Sequence, residues 1–574
     1  MVRSTTFTTA YRPRPPRNYR ALTITVAAAV LISGLVVWAN STSCLELLIV
    51  SSQEKYQLLT RIAARYEAPR VERHCVTVKV IERASGTAEH ALAQDWANES
   101  GPRPDVWSPA ATTWLLLLDH ERPGLVPAVA QSLIQSPLVI AMPEPMAATL
   151  RSSSRSIGWH DVLTLARDPE GWARFGKDWG RFRLGKTTPL ISTSGFHALI
   201  TLNNAAQAEE DPVAFLQGVE SSVLHYADSV KSFLVNLRRA DDAGRALEYV
   251  SAIAVEEKQV YDYNRGNTSS IYCETSCEFT EPRTKLMAVY PKEGTLIADH
   301  PYAVLSWADD EHRQAASDFR EHLESTPVQR IFQQEGFRNH RRQAGPALHL
   351  PYFDPDEPRI LYSPPTPATL DAMVPAWSAT IRKRANALVL LDVGPPLDTQ
   401  HPSLGTTMLV AVKRAIDDAL EELLTNDDQV GLWIYPAADG RPYEEVLPIT
   451  KRGPPPFELS SRLATVPTVP RGRALYATVR AAAEKVQTDF VQDRVNAVII
   501  VSGGINGTSD KLADLLKAIR DRQDRQRVLI FAVALTPEVY DDLGKITVES
   551  GGVLYDGRDP AKIKEAVRSA LANL

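Results

Sequence analysis

Residues 387–398, reading ALVLLDVGPPLD, decide the fold of the C-terminal part of the chain. Five apolar residues lead into a single carboxylate, Asp392, and the run then breaks at Gly394 and two prolines. An unbroken apolar run of this length predicts a strand that is buried on both faces, as in a parallel sheet. In open α/β sheets the carboxyl ends of the strands form the ligand-binding edge. The stretch therefore predicts an acid at that edge.

Apolar runs and amphipathic stretches alternate from residue 386 to residue 574, which predicts a doubly wound, Rossmann-like sheet. The predicted strands are ALVLLDV, QVGLWIYP, EVLPITK, AVIIVSGG, VLIFAVAL and GGVLYDG, and the predicted helices cover 406–424, 474–487, 512–522 and the end of the chain. This part of the chain resembles the von Willebrand factor A domain, whose metal-ion-dependent adhesion site begins Asp-x-Ser-x-Ser. The resemblance implies a domain that contacts another protein.

The resemblance also implies a metal site, but four of its five positions are substituted. Asp392 matches the first acid, while the other four family ligands are replaced by Gly394, Pro396, Arg473 and Gly503. A hard divalent cation needs several oxygen ligands, so the sequence predicts no metal here. Asp392 then either pairs with the Arg473 guanidinium or caps the following turn.

The N-terminus predicts a membrane anchor. The first 20 residues contain five arginines and no acid, and residues 21–39 carry no charge. Nineteen residues at a helical rise span roughly 30 Å, which is enough for the hydrocarbon core of a bilayer. Arginines on one side of the segment place a disordered basic tail in the cytoplasm and the rest of the chain outside. A cleaved signal peptide is the alternative.

The four cysteines predict disulfides, because an even count outside the cytoplasm favours them. Cys44 and Cys75 each precede an apolar run, and neighbouring parallel strands would bring these two positions together. Cys273 and Cys277 would then close a small loop.

Residues 44–344 alternate short apolar runs with amphipathic helices, which indicates an α/β domain. The order of PDVWSPA, SPLVIAMP, GKTTPLISTSGF, YPKEGTLIADHPYAVL and FREHLESTPVQRIFQQEGFR resembles the extracellular solute-binding proteins of bacteria. That resemblance implies two lobes around a ligand cleft, with lobe crossings expected near 137–142 and 286–290. Residues 345–385 contain eight prolines and predict a linker, since proline discourages helix.

Hydroxyl side chains follow several of the predicted strands and form the candidate ligand set. A helix N-terminus presents unpaired N–H groups and a partial positive charge, so serine or threonine there suits a small polar or anionic solute. The alternative is that these residues only cap their helices. The candidates are Ser51, Ser52, Ser85, Ser108, Thr193 and Ser194.

No catalytic motif, metal-ligand spacing or cofactor motif is evident, and the twelve histidines are scattered. A net charge of −6 argues against a nucleic-acid partner. The sequence therefore predicts a single-pass protein of the bacterial cell envelope that recognises a ligand or a protein without catalysis and needs no cofactor. A solute-binding role in transport is the first alternative, and an envelope polymer-processing enzyme is the second.

Overall fold

The computed structural model describes residues 44–69, 71, 75–97, 101–153, 156–270, 278–469, 474–522 and 526–574. Within these ranges no helix is both long and apolar enough to cross a membrane. The predicted tail at 1–20 and the predicted transmembrane segment at 21–39 lie outside them, as do Cys273, Cys277 and Arg473.

The first lobe is an α/β layer built on a five-stranded sheet. Its strand order is β2-β1-β3-β11-β4. Strand β1 is parallel to both β2 and β3, while β11 is antiparallel to both β3 and β4. The elements are β1 (Leu45–Ser51), α1 (Gln53–Ala64), β2 (Val76–Glu82), α2 (Ser85–Ala93), β3 (Val106–Ser108), α3 (Thr112–Glu121), β4 (Gln131–Ser132), β11 (Pro301–Val304), α11 (Asp310–Glu324) and α12 (Thr326–Gln334).

The second lobe is built on a seven-stranded sheet whose central path runs β10-β5-β8-β6-β7, with β9 and β12 also paired to β5. Its strands are β5 (Ile134–Pro143), β6 (Leu184–Thr187), β7 (Val223–Ala227), β8 (Ala252–Glu256), β9 (Leu286–Val289), β10 (Ile297–Ala298) and β12 (Arg338–Asn339). Its helices are α4 (Glu144–Ser153), α5 (Trp159–Arg167), α6 (Thr193–Ala206), α7 (Pro212–Glu220), α8 (Val230–Asp242), α9 (Ala246–Tyr249) and α10 (Glu257–Asn264).

The chain passes between the lobes where β4 leads into β5, where β10 leads into β11 and where α12 leads into β12. The crossings expected at 137–142 and 286–290 are wrong, because those residues pair with each other inside the sheet of the second lobe. The apolar runs were correctly read as strands, but strand periodicity does not show which sheet a strand joins. The second crossing contains His300, whose φ of 40° is unusual for a residue with a side chain.

The C-terminal part forms a six-stranded, doubly wound sheet with the order β17-β16-β13-β18-β19-β20. When only the six strands of this sheet are numbered along the chain, the order is 3-2-1-4-5-6. The edge strand β17 is antiparallel to β16, and the other neighbouring strands are parallel. The strands are β13 (Arg384–Asp392), β16 (Gln429–Tyr435), β17 (Glu444–Lys451), β18 (Arg494–Ser502), β19 (Leu529–Ala534) and β20 (Leu554–Asp556), beside a small hairpin of β14 (Gln400–His401) and β15 (Thr406–Thr407). The prediction of a doubly wound sheet from the alternation of strands and helices over residues 386–574 is confirmed.

Helices cover both faces of this sheet, so its strands are buried on both sides as the apolar runs predicted. They are α14 (Met408–Leu423), α15 (Glu458–Thr465), α16 (Leu475–Thr488), α17 (Leu512–Arg522), α18 (Pro537–Ser550) and α19 (Ile563–Leu571). The order switches between β13 and β18, and Asp392 ends β13 at that switch point.

The proline-rich segment 345–385 packs against both lobes. Its prolines were expected to discourage helix, but the segment contains the helix α13 (Pro367–Ala376). Pro367 occupies the first helical turn, where the missing N–H has no partner to lose. The buried Trp377 donates its indole N–H to Glu220 at 2.9 Å. The boundaries at 344 and 385 stay a prediction.

A disulfide joins Cys44 to Cys75, with a Cα–Cα distance of 4.5 Å. It closes the start of the parallel pair β1 and β2, in which Leu45 lies opposite Val76. This pairing confirms the prediction made from the two apolar runs.

Candidate functional site

A polar cleft lies between the two lobes, at the N-terminal ends of α1 and α2 on one side and of α6, α8 and α10 on the other. Its space is about 690 Å³ when counted out to the opening. Helix N-termini converge on it because the strands before them end at the facing edges of the two sheets.

Four of the six predicted hydroxyl residues line this cleft, namely Ser52, Ser85, Thr193 and Ser194. Ser51 and Ser108 are fully buried behind it. Ser108 donates its hydroxyl to the carbonyl of Pro301 at 2.7 Å, which ties β3 to β11. The structure thus brings four of these residues to one cleft, while their role in ligand binding stays a prediction.

The alternative of simple helix capping does not describe the hydroxyls that the cleft contains. Ser52 precedes α1 and Ser192 precedes α6, but neither accepts a hydrogen bond from the first turn of its helix. Ser52 instead donates to the Glu54 carboxylate and accepts from Lys55 Nζ at 2.5 Å. Ser52, Glu54 and Lys55 thus bond to one another through their side chains, and Ser52 does not cap the helix that follows it.

The lobes touch each other beside the cleft. Gly86 N donates to the carbonyl of Ile191 at 3.0 Å, and the Trp114 indole N–H donates to Thr193 Oγ1 at 2.8 Å. A Cβ on Gly86 would lie 2.3 Å from the carbonyl oxygen of Leu190, so only glycine allows this approach. These contacts define a closed arrangement of the two lobes.

Below the hydroxyl groups the cleft floor contains a buried cluster of charged side chains. Lys55 is completely buried, and its Nζ lies 2.9 Å from the Ser108 carbonyl and 3.0 Å from the Pro109 carbonyl. Burial lowers the pKa of Lys55 to about 8. His300 Nδ1 lies 3.3 Å from that ammonium, so the hinge residue is part of the same cluster.

Two carboxylates complete the cluster, one from each lobe. Glu54 Oε1 lies 3.5 Å from His300 Nδ1, and Glu256 Oε2 lies 3.4 Å from His300 Nε2. Burial raises the pKa of Glu256 well above its usual value, with the Glu54 charge adding to the effect. Burial, followed by the Lys55 charge, lowers the pKa of His300 well below its usual value.

Sequence reasoning missed these charged residues. Glu54, Glu256 and His300 come from two lobes and a crossing, so no fixed spacing relates them in the chain. One weaker sequence signal could have found the two acids. Glu54 and Glu256 each lie at a strand-to-helix junction, the same kind of position from which the candidate serines were chosen.

Asp392 presents a different environment at the edge of the C-terminal sheet. Its Oδ1 accepts from Gly394 N at 2.8 Å, and its Oδ2 accepts from Gly503 N at 3.0 Å and Gly504 N at 2.7 Å. The Ser502 hydroxyl adds a fourth donor at 3.1 Å. Burial raises the pKa of Asp392, while these hydrogen bonds act in the opposite direction.

The substituted positions of the C-terminal site gather around this carboxylate. Gly394, Pro396 and Gly503 line one cavity with Asp392, and Arg473 lies outside the described residues. The hydrogen bond from Gly394 N to Asp392 is the contact expected if Asp392 caps the turn that follows its strand. The glycine amides of the β18 loop are partners that the sequence analysis did not foresee, because backbone donors leave no residue-type signal.

Comparison with known protein families identifies the two-lobed part. The family model of bacterial extracellular solute-binding proteins matches residues 47–338, about half of the chain. The chain belongs to this family of solute-binding proteins. No curated protein matches the chain.

Solved structures show more distant likenesses to this solute-binding protein. The sulfate-binding protein SubI from Mycobacterium tuberculosis is 15% identical, with 51% of this chain and 87% of SubI covered at a TM-score of 0.35. The periplasmic binding protein AfuA from Actinobacillus pleuropneumoniae, with exogenous fructose-6-phosphate bound, is 14% identical, with 58% and 98% covered at a TM-score of 0.40. A von Willebrand factor type A protein from Catenulispora acidiphila is 16% identical, with 33% and 42% covered at a TM-score of 0.26.

The cleft of this solute-binding protein carries more acids than bases. Glu54, Glu82 and Glu256 line it, against Lys231 of the second lobe and the buried Lys55 at the floor. Asp262 also lines it but is neutralised by Lys258, whose Nζ lies 2.5 Å from the carboxylate. The helix N-termini predicted a small polar or anionic solute, and the surplus of acids favours the polar alternative, or a cation, over an anion.

Proposed function

We propose that the protein recognises a small polar or cationic solute in the cleft between its lobes, outside the cytoplasmic membrane and without catalysis. The observation that carries the proposal is the composition of the two cleft walls. Ser52, Glu54 and Ser85 come from the first lobe, while Ser194, Glu256 and Gln259 come from the second. A solute that contacts both walls holds the lobes together, and family membership supports binding rather than turnover.

The arrangement of the C-terminal part supports a sensing role. Arg568 on α19 donates to Thr87 of the first lobe at 3.2 Å. Close by, Asn573 Oδ1 lies 3.1 Å from His225 Nδ1, and Tyr555 donates to Asp228 at 3.3 Å, both in the second lobe. Because the C-terminal part touches both lobes, a change in their separation alters its surroundings.

The C-terminal part is proposed to be a von Willebrand A-type domain that contacts a protein partner without a metal ion. Its strand order with one antiparallel edge strand supports the fold, and the four donors around Asp392 support a carboxylate that needs no cation. Anchoring by residues 21–39, with the N-terminus in the cytoplasm, completes the proposal. The family membership and the Cys44–Cys75 disulfide support an extracytoplasmic location.

Transport is the second candidate function, in which the cleft delivers its solute to a permease. Membership of the solute-binding family supports it as well as it supports sensing. The contacts of the C-terminal part with both lobes favour sensing, because a permease would need the faces beside the cleft.

A thermal-shift screen of the full chain tests the cleft as the solute site. Sugars, amino acids and polyamines are the probes, and at least one is expected to raise Tm, since a ligand that binds only the folded state stabilises it. Glu82→Lys should weaken that solute at least tenfold, about 1.4 kcal/mol. Glu321→Lys, an exposed position on α11, is the matched control and should keep the shift.

Two results would contradict the proposal. One is a screen in which no member of the panel raises Tm. The other is an equal loss of the shift in the Glu82 and Glu321 variants, which would place the solute away from the cleft.

A further inference from the structure

We infer that Glu54, Glu256 and His300 bind one divalent transition-metal ion at the floor of the cleft. The inference rests on the proposed function and names the class of cation that the cleft takes. One ligand atom from each of the three residues lies within 4.8 Å of the other two. Side-chain exposure is 10% for Glu54, 2% for Glu256 and 0% for His300, so the group is almost closed to bulk water.

Two of these ligand atoms have no hydrogen bond among the described residues. They are Glu256 Oε2 and His300 Nε2, which face each other at 3.4 Å. Buried polar atoms are nearly always paired, and each exception in a folded protein needs a physical reason. A cation shared by the two atoms supplies that reason, because it binds both lone pairs at once.

Lys55 does not fill this gap. An ammonium group has three hydrogens, and its Nζ lies 2.5 Å from Ser52 Oγ, 2.9 Å from Ser108 O and 3.0 Å from Pro109 O. Its contact with His300 is to Nδ1, on the other side of the ring from Nε2. The three oxygens account for all of its donors, so Nε2 remains without one.

The spacing of one ligand pair, Glu256 Oε2 and His300 Nε2, fits a metal better than a shared proton. These two atoms are 3.4 Å apart, and a Glu54 oxygen completes a group of three ligand atoms that lie within 4.8 Å of one another. Ligands held about 2.0–2.2 Å from a tetrahedral zinc ion lie roughly 3.3–3.6 Å apart. A hydrogen bond through a proton would draw the two atoms to about 3.0 Å or less.

The donor set selects the class of metal. One imidazole nitrogen and two carboxylate oxygens suit zinc, manganese, iron or cobalt, whereas calcium and magnesium prefer oxygen alone. Three protein ligands leave a fourth position, and it faces the cleft because Glu54 and Glu256 line it.

The origin of the ligands links the metal to the closed arrangement of the lobes. Glu54 belongs to the first lobe, Glu256 to the second, and His300 to the crossing between them. An ion held by all three joins the lobes at the base of the cleft.

Titration of zinc chloride into the metal-stripped full chain, followed by calorimetry and by Tm, tests the inference. We expect one site per chain and a Tm that rises with zinc concentration. Glu256→Gln and His300→Gln should each weaken zinc at least ten- to a hundredfold, the range already seen for partners that only orient a ligand. Glu321→Gln removes an exposed carboxylate of α11 outside the cleft, and it should bind zinc as the unsubstituted chain does.

The inference is overturned if neither zinc, manganese nor cobalt binds the unsubstituted chain, or if Glu256→Gln binds zinc unchanged. Should one variant not fold, Glu54→Gln carries the same expected loss and decides the result. A polar solute that raises Tm without metal and depends on Glu82, in a chain indifferent to zinc, would reject the metal site and keep the solute cleft. Failure of every probe would reject both.

Discussion

Two buried carboxylates, Asp392 and Glu256, sit at the ends of strands in different parts of the molecule, and their surroundings are opposite. Asp392 accepts four hydrogen bonds from Gly394, Ser502, Gly503 and Gly504. Glu256 points an unpaired oxygen at the bare nitrogen of His300. Both oxygens of Asp392 accept hydrogen bonds and need no cation, whereas one oxygen of Glu256 has no hydrogen bond within the part of the chain that the structure describes. The sequence, however, indicated a former metal site only at Asp392.

The largest expected effect comes from removing the charge at Asp392. Asp392→Asn replaces one acceptor oxygen with an NH₂ group. This group is itself a donor, so it cannot accept the hydrogen bonds that the neighbouring donors made to the oxygen. Each buried donor that loses a charged partner is costly, so the free energy of unfolding should fall by about 4 kcal/mol.

Urea denaturation of the full chain measures this loss. Asp398→Asn, an exposed carboxylate six residues further along the chain, is the control and should change stability by less than about 0.5 kcal/mol. Equal stability of the Asp392 variant and its control would show that the four donors do not hold this carboxylate.

The buried histidines His225 and His300 differ in the same way as the two carboxylates. His225 has a partner for each ring nitrogen, with Nδ1 3.1 Å from Asn573 Oδ1 and Nε2 3.4 Å from the Tyr249 hydroxyl. Burial lowers its pKa to about 4, so the folded chain holds it neutral while the unfolded chain takes up a proton below about pH 6.5. Stability should therefore fall as pH drops from about 6.5 to 4, by about 3 kcal/mol from this residue.

The pH dependence of unfolding, measured between pH 4 and 7, checks this sign. His225→Gln cannot take up the proton, so its stability should change less steeply with pH than that of the unsubstituted chain. An identical slope in both proteins would assign the acid sensitivity to other groups, among them the buried His197, whose pKa burial lowers to about 3.

The smallest expected effect on stability is at Glu256. Glu256→Gln places an amide N–H donor opposite His300 Nε2 and removes a buried negative charge. In metal-free buffer its stability should stay within about 0.5 kcal/mol of the unsubstituted chain, because it satisfies an atom that had no partner. A loss as large as that of Asp392→Asn, measured by the same denaturation, would mean that Glu256 holds the fold together rather than a ligand.

Local sequence patterns were enough to predict the sheets and part of the cleft. The run ALVLLDV predicted a doubly buried strand, and β13 lies between parallel neighbours at the centre of its sheet. Apolar runs after Cys44 and Cys75 predicted the parallel pair that the disulfide closes. Hydroxyl residues at strand ends led to Ser52, Ser85, Thr193 and Ser194, because both sheets turn those ends toward the same cleft.

The rest depends on contacts that no single segment contains. Glu54, Glu256 and His300 meet only when the lobes close on the crossing, so their distance in space has no counterpart in sequence spacing. The donors to Asp392 include backbone N–H groups of Gly503 and Gly504, which any residue type could provide. The prolines of segment 345–385 predict a linker, and they give no sign that Leu370 and Trp377 within it are buried against the lobes.

Equilibrium dialysis with zinc tests the difference between the two carboxylates most directly, because it counts bound ions per chain. One ion should remain on the unsubstituted full chain and one on Asp392→Asn, whereas Glu256→Gln should retain far less than one ion per chain at the same free zinc concentration. Loss of the ion in Asp392→Asn, or full retention of the ion in Glu256→Gln, would show that the cation does not bind at Glu256 and would contradict the account.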